Sequence, residues 1–202
     1  HFSLWQYQKD AFFDDDAPMH LSQTGQYFVG DILKHIQGLL ALTCPSVNSY
    51  QRLAPGHWSS AYATYGQDNR EAAVLIPSTA WSDPASSMNI ELKASDATAN
   101  PYLAFAGLLA AGLDGITHQL QPGDYCDVDP ASLSDAERAA KGIQRLPRTL
   151  GQAVDAFVAD PLFQDLFGAQ LVDAYAKIKR EDDHYYGKLE LEKIAALHRE
   201  LY

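Results

Sequence analysis

Glu91 and Lys93 are the two residues whose types and spacing first suggest chemistry. They alternate with Ile90 and Leu92, which is the period of a β-strand with one buried face, so the carboxylate and the ammonium share the other face. A carboxylate held there could bind a hard divalent cation, because such cations prefer oxygen ligands. Taken alone, however, the pair is more often a surface ion pair than a metal site.

Other candidate ligand groups are weaker. The run 14–16 consists of three aspartates, but Pro18 follows closely and the segment has the composition of a turn, which favours a solvated loop over a metal site. Cys44 and Cys126 lie far apart with no motif around them. The sequence therefore indicates neither a disulfide framework nor a zinc site.

Composition limits the classes of function. With 202 residues, of which 47% are hydrophobic and 20% charged, the chain can bury one sizeable core. Its net charge of −11 and its isoelectric point near 4.9 argue against nucleic-acid binding, which needs a basic surface. No signal peptide or membrane-spanning run is present in the sequence, so no membrane association and a cytoplasmic location are expected. The chain begins at His1 without a methionine, which suggests a fragment.

The elements that must position Glu91 and Lys93 are a strand and the helix that follows it. Asn100 and Pro101 are strong helix-start signals, because the asparagine side chain caps free N–H groups and proline tolerates the first helical position. This helix is predicted to run from about 101 to 113 as a core helix, with small residues that allow close approach of other elements. At roughly 13 residues it is too short to cross a bilayer.

Similar patterns predict the other elements. The apolar spacing over 22–43 is typical of an amphipathic helix, and 1–7, 61–65 and 72–76 have the composition of strands. The polar segment 121–144 is expected at the surface. Thr149 and Asp160 are predicted helix caps, and a long helical pattern over 168–202 has a break near Gly187.

Four separated motifs, in the right order, resemble the glutamine synthetase superfamily over nearly the whole chain. The segment 89–93 (NIELK), followed by NPYLAFA and AAGLDG, resembles the family's E-x-R…ANPYLAFAALLAAGLDGI block. The segment 47–56 (VNSYQRLAPG) matches its P-T-x-N-S-Y-K-R-L-x-P-G motif. The segment 66–76 (GQDNREAAVLI) is similar to its W-G-x-x-N-R-x-A-x-x-R-I motif, and HFSL at the start resembles its H-x-H-x-S-L strand.

This resemblance implies a fold and an organisation. The fold class is expected to be α+β, with an antiparallel sheet packed against helices as in the glutamine synthetase catalytic domain. Residues 1–202 would form the C-terminal portion of that domain, with the N-terminal β-grasp domain and the first part of the catalytic domain absent. Members of the family assemble as rings, so a homo-oligomer is expected.

The resemblance also assigns roles to individual residues. Arg70 would stabilise charge on the transferring phosphoryl group as a catalytic and nucleotide-binding residue, since phosphoryl transfer depends on positioned positive charge. His1 and Ser3 would lie at the nucleotide. Arg52 would bind a substrate carboxylate through two parallel donors. Glu91 would be a ligand of Mg²⁺ or Mn²⁺.

Three positions depart from the family pattern. Lys93 replaces the second arginine at the substrate carboxylate and is a point charge rather than a fork. Leu75 replaces an arginine that contacts the nucleotide. In the flap motif P-G-x-E, the glutamate that helps to bind and deprotonate ammonium is replaced by Trp58, which we expect to contact the substrate. The combination of H-W at 57–58, DNREA at 68–72 and E-x-K at 91–93 resembles the divergent branch that includes nodulin-type and fungal FluG-type proteins.

Two functions are therefore considered. The first is an ATP-dependent carbon–nitrogen ligase that joins the γ-carboxylate of glutamate, through a γ-glutamyl phosphate, to ammonia or, preferably, an organic amine. The residues 1–202 on their own would be inactive. The second is a non-catalytic structural or interaction protein of the same family, which Trp58 and Leu75 favour. Joint retention of Arg52, Arg70 and Glu91 favours the enzyme.

Overall fold

The computed structural model describes residues 1–79 and 83–200. It contains helices and small sheets, which confirms the α+β class. In chain order the elements are β1 (Trp5–Gln6), β2 (Lys9–Asp10), α1 (Gln23–Thr43), α2 (Ser49–Arg52), β3 (Tyr62–Gln67), β4 (Ala72–Ile76), α3 (Pro84–Ser87), β5 (Glu91–Leu92), α4 (Pro101–His118), α5 (Asp135–Ala140), β6 (Gln144–Arg145), α6 (Leu150–Ala159), α7 (Pro161–Tyr186) and α8 (Leu191–His198). Short 3-10 turns lie at Pro18–His20 and Pro130–Ser132.

The chain divides into two compact units. The first unit comprises 1–34, 55–93 and 111–145, and the second comprises 35–54, 94–110 and 146–202. All the strands belong to the first unit, whereas the second is helical. Within the described residues, no helix is long and apolar enough to cross a membrane.

The main sheet of the first unit has the order β5-β4-β3-β6. Its outer pairs are antiparallel, but β3 and β4 are parallel, with Tyr65 opposite Val74 and Gln67 opposite Ile76. The expected antiparallel pairing is therefore found at the outer pairs but not between β3 and β4, and the sheet is mixed. The physical reason lies in the connection, where Asp68 adopts a left-handed backbone conformation (φ 50°) and a turn closes between Asn69 and Ala72. The chain is thus redirected so that β4 starts level with the start of β3.

An aromatic cluster lies in the core of the first unit. The ring of Phe28 lies 5.1 Å from that of Phe12 and 5.5 Å from that of Phe2, and Phe12 and Phe28 are buried. Gly112 faces this cluster, because a Cβ built on it would lie 2.1 Å from the Phe28 ring. The predicted role of the small residues in α4, to permit close approach, is confirmed at this position.

The second unit is built around α6 and α7. Phe157 and Phe163 are fully buried, with ring centroids 5.2 Å apart. Asp160 lies between the two helices and caps α7 by accepting a hydrogen bond from the N–H of Leu162 (3.0 Å). The same carboxylate contacts the imidazole of His35 at 2.6 Å, so one aspartate both begins a helix and binds α1 within this unit.

The predicted helix starts agree with the structure. The Asn100 side chain accepts hydrogen bonds from the N–H groups of Tyr102 (3.0 Å) and Leu103 (3.3 Å), and Thr149 accepts from Gln152 (3.2 Å). The predicted ends agree less well, since α4 continues to His118 rather than ending near residue 113. The helical pattern over 168–202 belongs to α7 and α8, which are separated by residues 187–190, and its last two residues lie outside the described part of the chain.

The prediction that α4 is a core helix is only partly correct. One face of α4 is buried, but four large apolar side chains on another face are exposed at a helical spacing. These residues are Tyr102, Phe105, Leu109 and Leu113. The polar segment 121–144 is mostly exposed as expected, although it contains α5, and its last residue begins the edge strand β6.

Candidate active site

A cavity of about 470 Å³ in the first unit is lined by side chains from four separate parts of the chain. The start of the chain, the loop before β3, the connection from β3 to β4 with the end of β4, and strand β5 all contribute. The lining residues are His1, Trp58, Asp68, Arg70, Leu75, Pro77, Glu91 and Lys93. Five of the seven residues proposed from the sequence therefore share one cavity.

Strand β5 positions Glu91 by its pairing with β4. Glu91 lies opposite Leu75 in an antiparallel register, and the N–H of Lys93 donates to the carbonyl of Ala73 (2.9 Å). Ile90 is fully buried and Leu92 is 8% exposed, which confirms the predicted alternation. The Glu91 side chain retains 27% exposure and faces the cavity.

Two basic groups flank the Glu91 carboxylate without binding it closely. Its Oε1 lies 3.7 Å from Nζ of Lys93, and its Oε2 lies 3.8 Å from Nε2 of His1. Both separations exceed the range of a good hydrogen bond. The carboxylate therefore lies between two basic side chains, with its oxygens open to a closer ligand.

Residue His1 is placed beside Glu91 by a short bridge rather than by a full strand. Phe2 and Ile90 exchange two backbone hydrogen bonds of 2.9 Å, and Nδ1 of His1 lies 2.8 Å from Oδ1 of Asn89. The predicted strand over 1–7 is thus reduced to this bridge and the two residues of β1. The bridge still positions His1 as a full strand would, because it fixes the register of the chain start against the residue that precedes β5.

Arg70 and Trp58 form a stacked pair at the cavity. The guanidinium carbon lies 5.0 Å from the centre of the indole ring, within the range of a cation–π interaction. The indole is 64% exposed. Among the residues that the structure describes, no acceptor lies within hydrogen-bond distance of the Arg70 guanidinium, so its N–H donors are available to an anionic ligand.

The donor set suits a nucleotide with a divalent cation. The carboxylates of Glu91 and Asp68 supply hard oxygen atoms, of which Oδ1 of Asp68 already accepts the N–H of Ser78 (2.8 Å). Arg70 and Lys93 bring positive charge to the same cavity, and His1 adds an imidazole, so that phosphate oxygens could accept hydrogen bonds from these groups. The residues present therefore fit both Mg²⁺ or Mn²⁺ and a polyphosphate.

Ser3 and Arg52 do not line this cavity. The exposed Ser3 hydroxyl accepts a hydrogen bond from the indole N–H of Trp5 (2.8 Å). Arg52 belongs to the second unit, where its Nη2 donates to the carbonyl of Ser95 (2.8 Å) and its side chain lines a cavity of about 530 Å³.

In the same unit, burial raises the pKa of the Cys44 thiol to about 12, with a further contribution from the negative charge of Asp96.

A known family corresponds to these motifs and this geometry. The sequence model of the family described as "Glutamine synthetase, catalytic domain" matches residues 1–194. The chain belongs to the glutamine synthetase family. The fold class and the resemblance predicted from the sequence are thereby confirmed.

Individual relatives agree with this assignment. The glutamine synthetase of Methanosarcina mazei is 39% identical over 184 residues, which cover 91% of this chain and 40% of the relative. That of Streptomyces coelicolor is 40% identical over 186 residues, covering 91% and 39%. The chain thus spans about two fifths of the length of the curated glutamine synthetases that it matches.

Two solved structures are similar in fold. A "novel glutamine synthase homolog" has a TM-score of 0.78 and 33% identity, and the match covers 96% of this chain and 42% of that one. A GmaS/ADP complex has a TM-score of 0.75 and 36% identity, with coverage of 96% and 44%.

Sequence analysis gave no role to two acidic residues near the glutamine synthetase motifs. Asp68 lines the cavity, and Glu71 binds the backbone of the loop that carries Trp58. The run DNRE, in which both lie, contained a signal for Asp68, since aspartate and asparagine between two strands are typical of a structured turn. No comparable signal indicated the partner of Glu71, because its contacts join positions 13 and 15 residues apart in the chain.

Proposed function

We propose that the full-length protein is an ATP-dependent carbon–nitrogen ligase that joins the γ-carboxylate of glutamate to an organic amine. In the first step, a γ-carboxylate oxygen attacks the γ-phosphorus of ATP, and ADP leaves. The amine nitrogen then attacks the acyl carbon of γ-glutamyl phosphate, inorganic phosphate leaves, and the nitrogen loses a proton. The products are a γ-glutamyl amide, ADP and phosphate.

The observation that carries this proposal is the shared cavity of His1, Trp58, Arg70, Glu91 and Lys93. In the proposed reaction, the Arg70 guanidinium stabilises negative charge on the transferring phosphoryl group, a role supported by its unoccupied donors. His1 and Ser3 bind the nucleotide, and Lys93 binds a substrate carboxylate. The similarity to a GmaS/ADP complex supports an adenine nucleotide as co-substrate.

Metal binding and substrate recognition extend this assignment. Glu91 is proposed as a ligand of Mg²⁺ or Mn²⁺, and such a cation would neutralise phosphate oxygens when bound. Arg52 is proposed to bind a carboxylate of glutamate, for which its guanidinium offers two parallel donors. Its position in α2, within the segment that matches the family motif, supports this role.

We further propose that residues 1–202 are the C-terminal portion of a larger catalytic domain in a cytoplasmic homo-oligomer. The chain spans about two fifths of the length of its relatives, which supports the proposal that it is part of a larger catalytic domain. The exposed apolar face of α4 also supports it, because a contiguous apolar stripe is typical of a surface covered in the complete protein.

Residues 1–202 expressed alone are expected to form no amide from ATP, glutamate and any amine. The physical reason is that phosphoryl transfer requires firmly positioned divalent cations, whereas Glu91 is the one metal ligand proposed within these residues. Phosphate release by the purified 202-residue chain measures this directly. Sustained release that depends on both glutamate and an amine would contradict the proposed division of the site.

Trp58 is expected to determine the choice of acceptor. An indole offers an apolar wall for an alkyl or aryl chain and about 0.5–2 kcal/mol of attraction for an organic ammonium, whereas ammonia is better captured by a carboxylate. In the full-length protein, Trp58→Glu should raise the use of ammonia relative to amines, and Trp58→Ala should raise the KM for the amine. Product formation with ammonia and a panel of amines provides the measurement.

The outcomes separate the two functions considered. A wild-type preference for ammonia over every amine, or a preference unchanged by both Trp58 substitutions, would contradict the acceptor assignment. The alternative of a non-catalytic family member is favoured by two residues of the cavity lining, Leu75 where the family has an arginine and Trp58 where it has a glutamate. The absence of glutamate- and amine-dependent phosphate release by the full-length protein would support that alternative.

A further inference from the structure

The carboxylate of Glu71 holds the backbone of the loop that carries Trp58. Its Oε1 accepts the N–H of Trp58 at 2.9 Å, and its Oε2 accepts the N–H of Gly56 at 3.2 Å. Each oxygen of one side chain therefore binds a different residue of the segment 56–58. Hydrogen bonds from N–H groups to an ionised carboxylate are stronger than those between neutral groups.

This loop has a backbone shape that needs such support. Gly56 and Trp58 both lie in the left-handed region, with φ of 75° and 55°. That region is open to glycine but is unfavourable for a side chain as large as tryptophan. An exposed loop with a left-handed tryptophan would relax to other conformations unless external contacts held it, and the two hydrogen bonds to Glu71 are such contacts.

Glu71 is itself held in place by a turn within the first unit. Its N–H donates to Oδ1 of Asn69 (3.0 Å), and Nδ2 of Asn69 donates to the carbonyls of Cys126 (2.8 Å) and Val128 (2.9 Å). The preceding residue, Arg70, stacks on the Trp58 indole. One turn thus contacts Trp58 twice, at its backbone through Glu71 and at its ring through Arg70.

We propose that Glu71 is a positioning residue that fixes the 56–58 loop, so that the Trp58 indole forms the wall of the acceptor site. This inference rests on the proposed function, in which Trp58 contacts the amine. Glu71 is not assigned as the group that takes the proton of the amine, because both of its oxygens accept N–H donors from the loop. Its contribution is to restrict the orientation of the indole before an amine binds, so that less conformational entropy is lost on binding.

The central variant is Glu71→Gln in the full-length protein. A glutamine has a similar shape but only one carbonyl oxygen, and its NH₂ group would face an N–H donor, so one of the two loop contacts is lost. Glu71→Ala removes both contacts. The matched control is Glu181→Gln, which makes the same chemical change at an exposed position on α7.

Two measurements test the proposal. The first is ¹⁹F NMR of protein labelled with 5-fluorotryptophan, in which the Trp58 signal is identified by its loss in Trp58→Phe. That signal should move or broaden in both Glu71 variants and stay unchanged in Glu181→Gln. The second is steady-state kinetics, in which the KM for the amine should rise about tenfold in Glu71→Gln while kcat and the KM for ATP change little.

The outcomes distinguish this inference from the proposed function. If the Trp58 signal is unchanged in both Glu71 variants, Glu71 does not hold the loop, whatever the kinetics show. If the signal moves but an active enzyme keeps its wild-type KM for the amine, the role of Glu71 in acceptor binding is wrong. If the wild-type protein forms no amide at all, the proposed function fails, and the NMR result alone still decides whether Glu71 orders the loop.

Discussion

Arg70→Gln in the full-length protein is expected to lower kcat by about 100- to 1,000-fold, the range for loss of a donor that stabilises transition-state charge. The guanidinium lines the cavity and has no acceptor of its own among the described residues. Its loss should therefore remove stabilisation of the transferring phosphoryl group rather than a structural contact. Arg70→Lys should fall between the wild type and Arg70→Gln, because lysine keeps the charge but not the planar fork.

The measurement is the rate of amide formation at saturating ATP, glutamate and amine, with the melting temperature recorded for each variant. Arg70 is exposed, and its only described contact is the stack on Trp58, so folding should be nearly unaffected. Arg180→Gln is the matched control, since Arg180 forms an exposed ion pair with Asp155 (2.7 Å) on the helices of the second unit. Equal turnover by Arg70→Gln and wild type would exclude the catalytic role.

Glu91→Gln is expected to weaken Mg²⁺ or Mn²⁺ binding and to lower turnover by at least about 10- to 100-fold, the loss seen even for groups that only support a metal ligand. The substitution keeps the shape of the side chain and removes its charge. Calorimetric titration of the full-length protein with Mn²⁺, together with the dependence of turnover on metal concentration, gives both quantities.

The ion-pair interpretation of Glu91 makes a different prediction for the same variant. The two basic neighbours lie at 3.7 and 3.8 Å, and a loose pair of this kind contributes less than about 1 kcal/mol. If that were its only role, metal affinity would not change. Asp173→Asn is the control, because Asp173 pairs with Lys177 at 2.7 Å on an exposed helix face.

Local signals predicted much of the fold. Asn100, Thr149 and Asp160 mark helix starts in the sequence because each cap depends only on residues two or three positions away. The end of α4 was missed, since the helix continues to His118 beyond the small residue Gly112, which faces the Phe28 ring. The alternation of buried and exposed side chains around Glu91 was also predictable, because it depends only on neighbouring residues of one strand.

The sequence did not predict contacts between residues that lie far apart in the chain. Nothing in the residues between β3 and β4 indicates a parallel register, which usually needs a connection of a dozen or more residues. The contact between Glu71 and the Trp58 loop depends on that same register. The structure brings five of the residues proposed from the motif resemblance into one cavity, whereas neither a local pattern nor the resemblance gave Glu71 a role.

The short connection between β3 and β4 limits how this site can diversify. Only four residues, 68–71, join two strands that run in the same direction, and they include Arg70 and Glu71. Deleting one of them would shift β4 by a residue against its neighbours and turn each of its buried side chains to the opposite face. An insertion would displace Arg70 from Trp58. Natural variation and engineering in this segment should therefore proceed through substitutions, while its length stays constant.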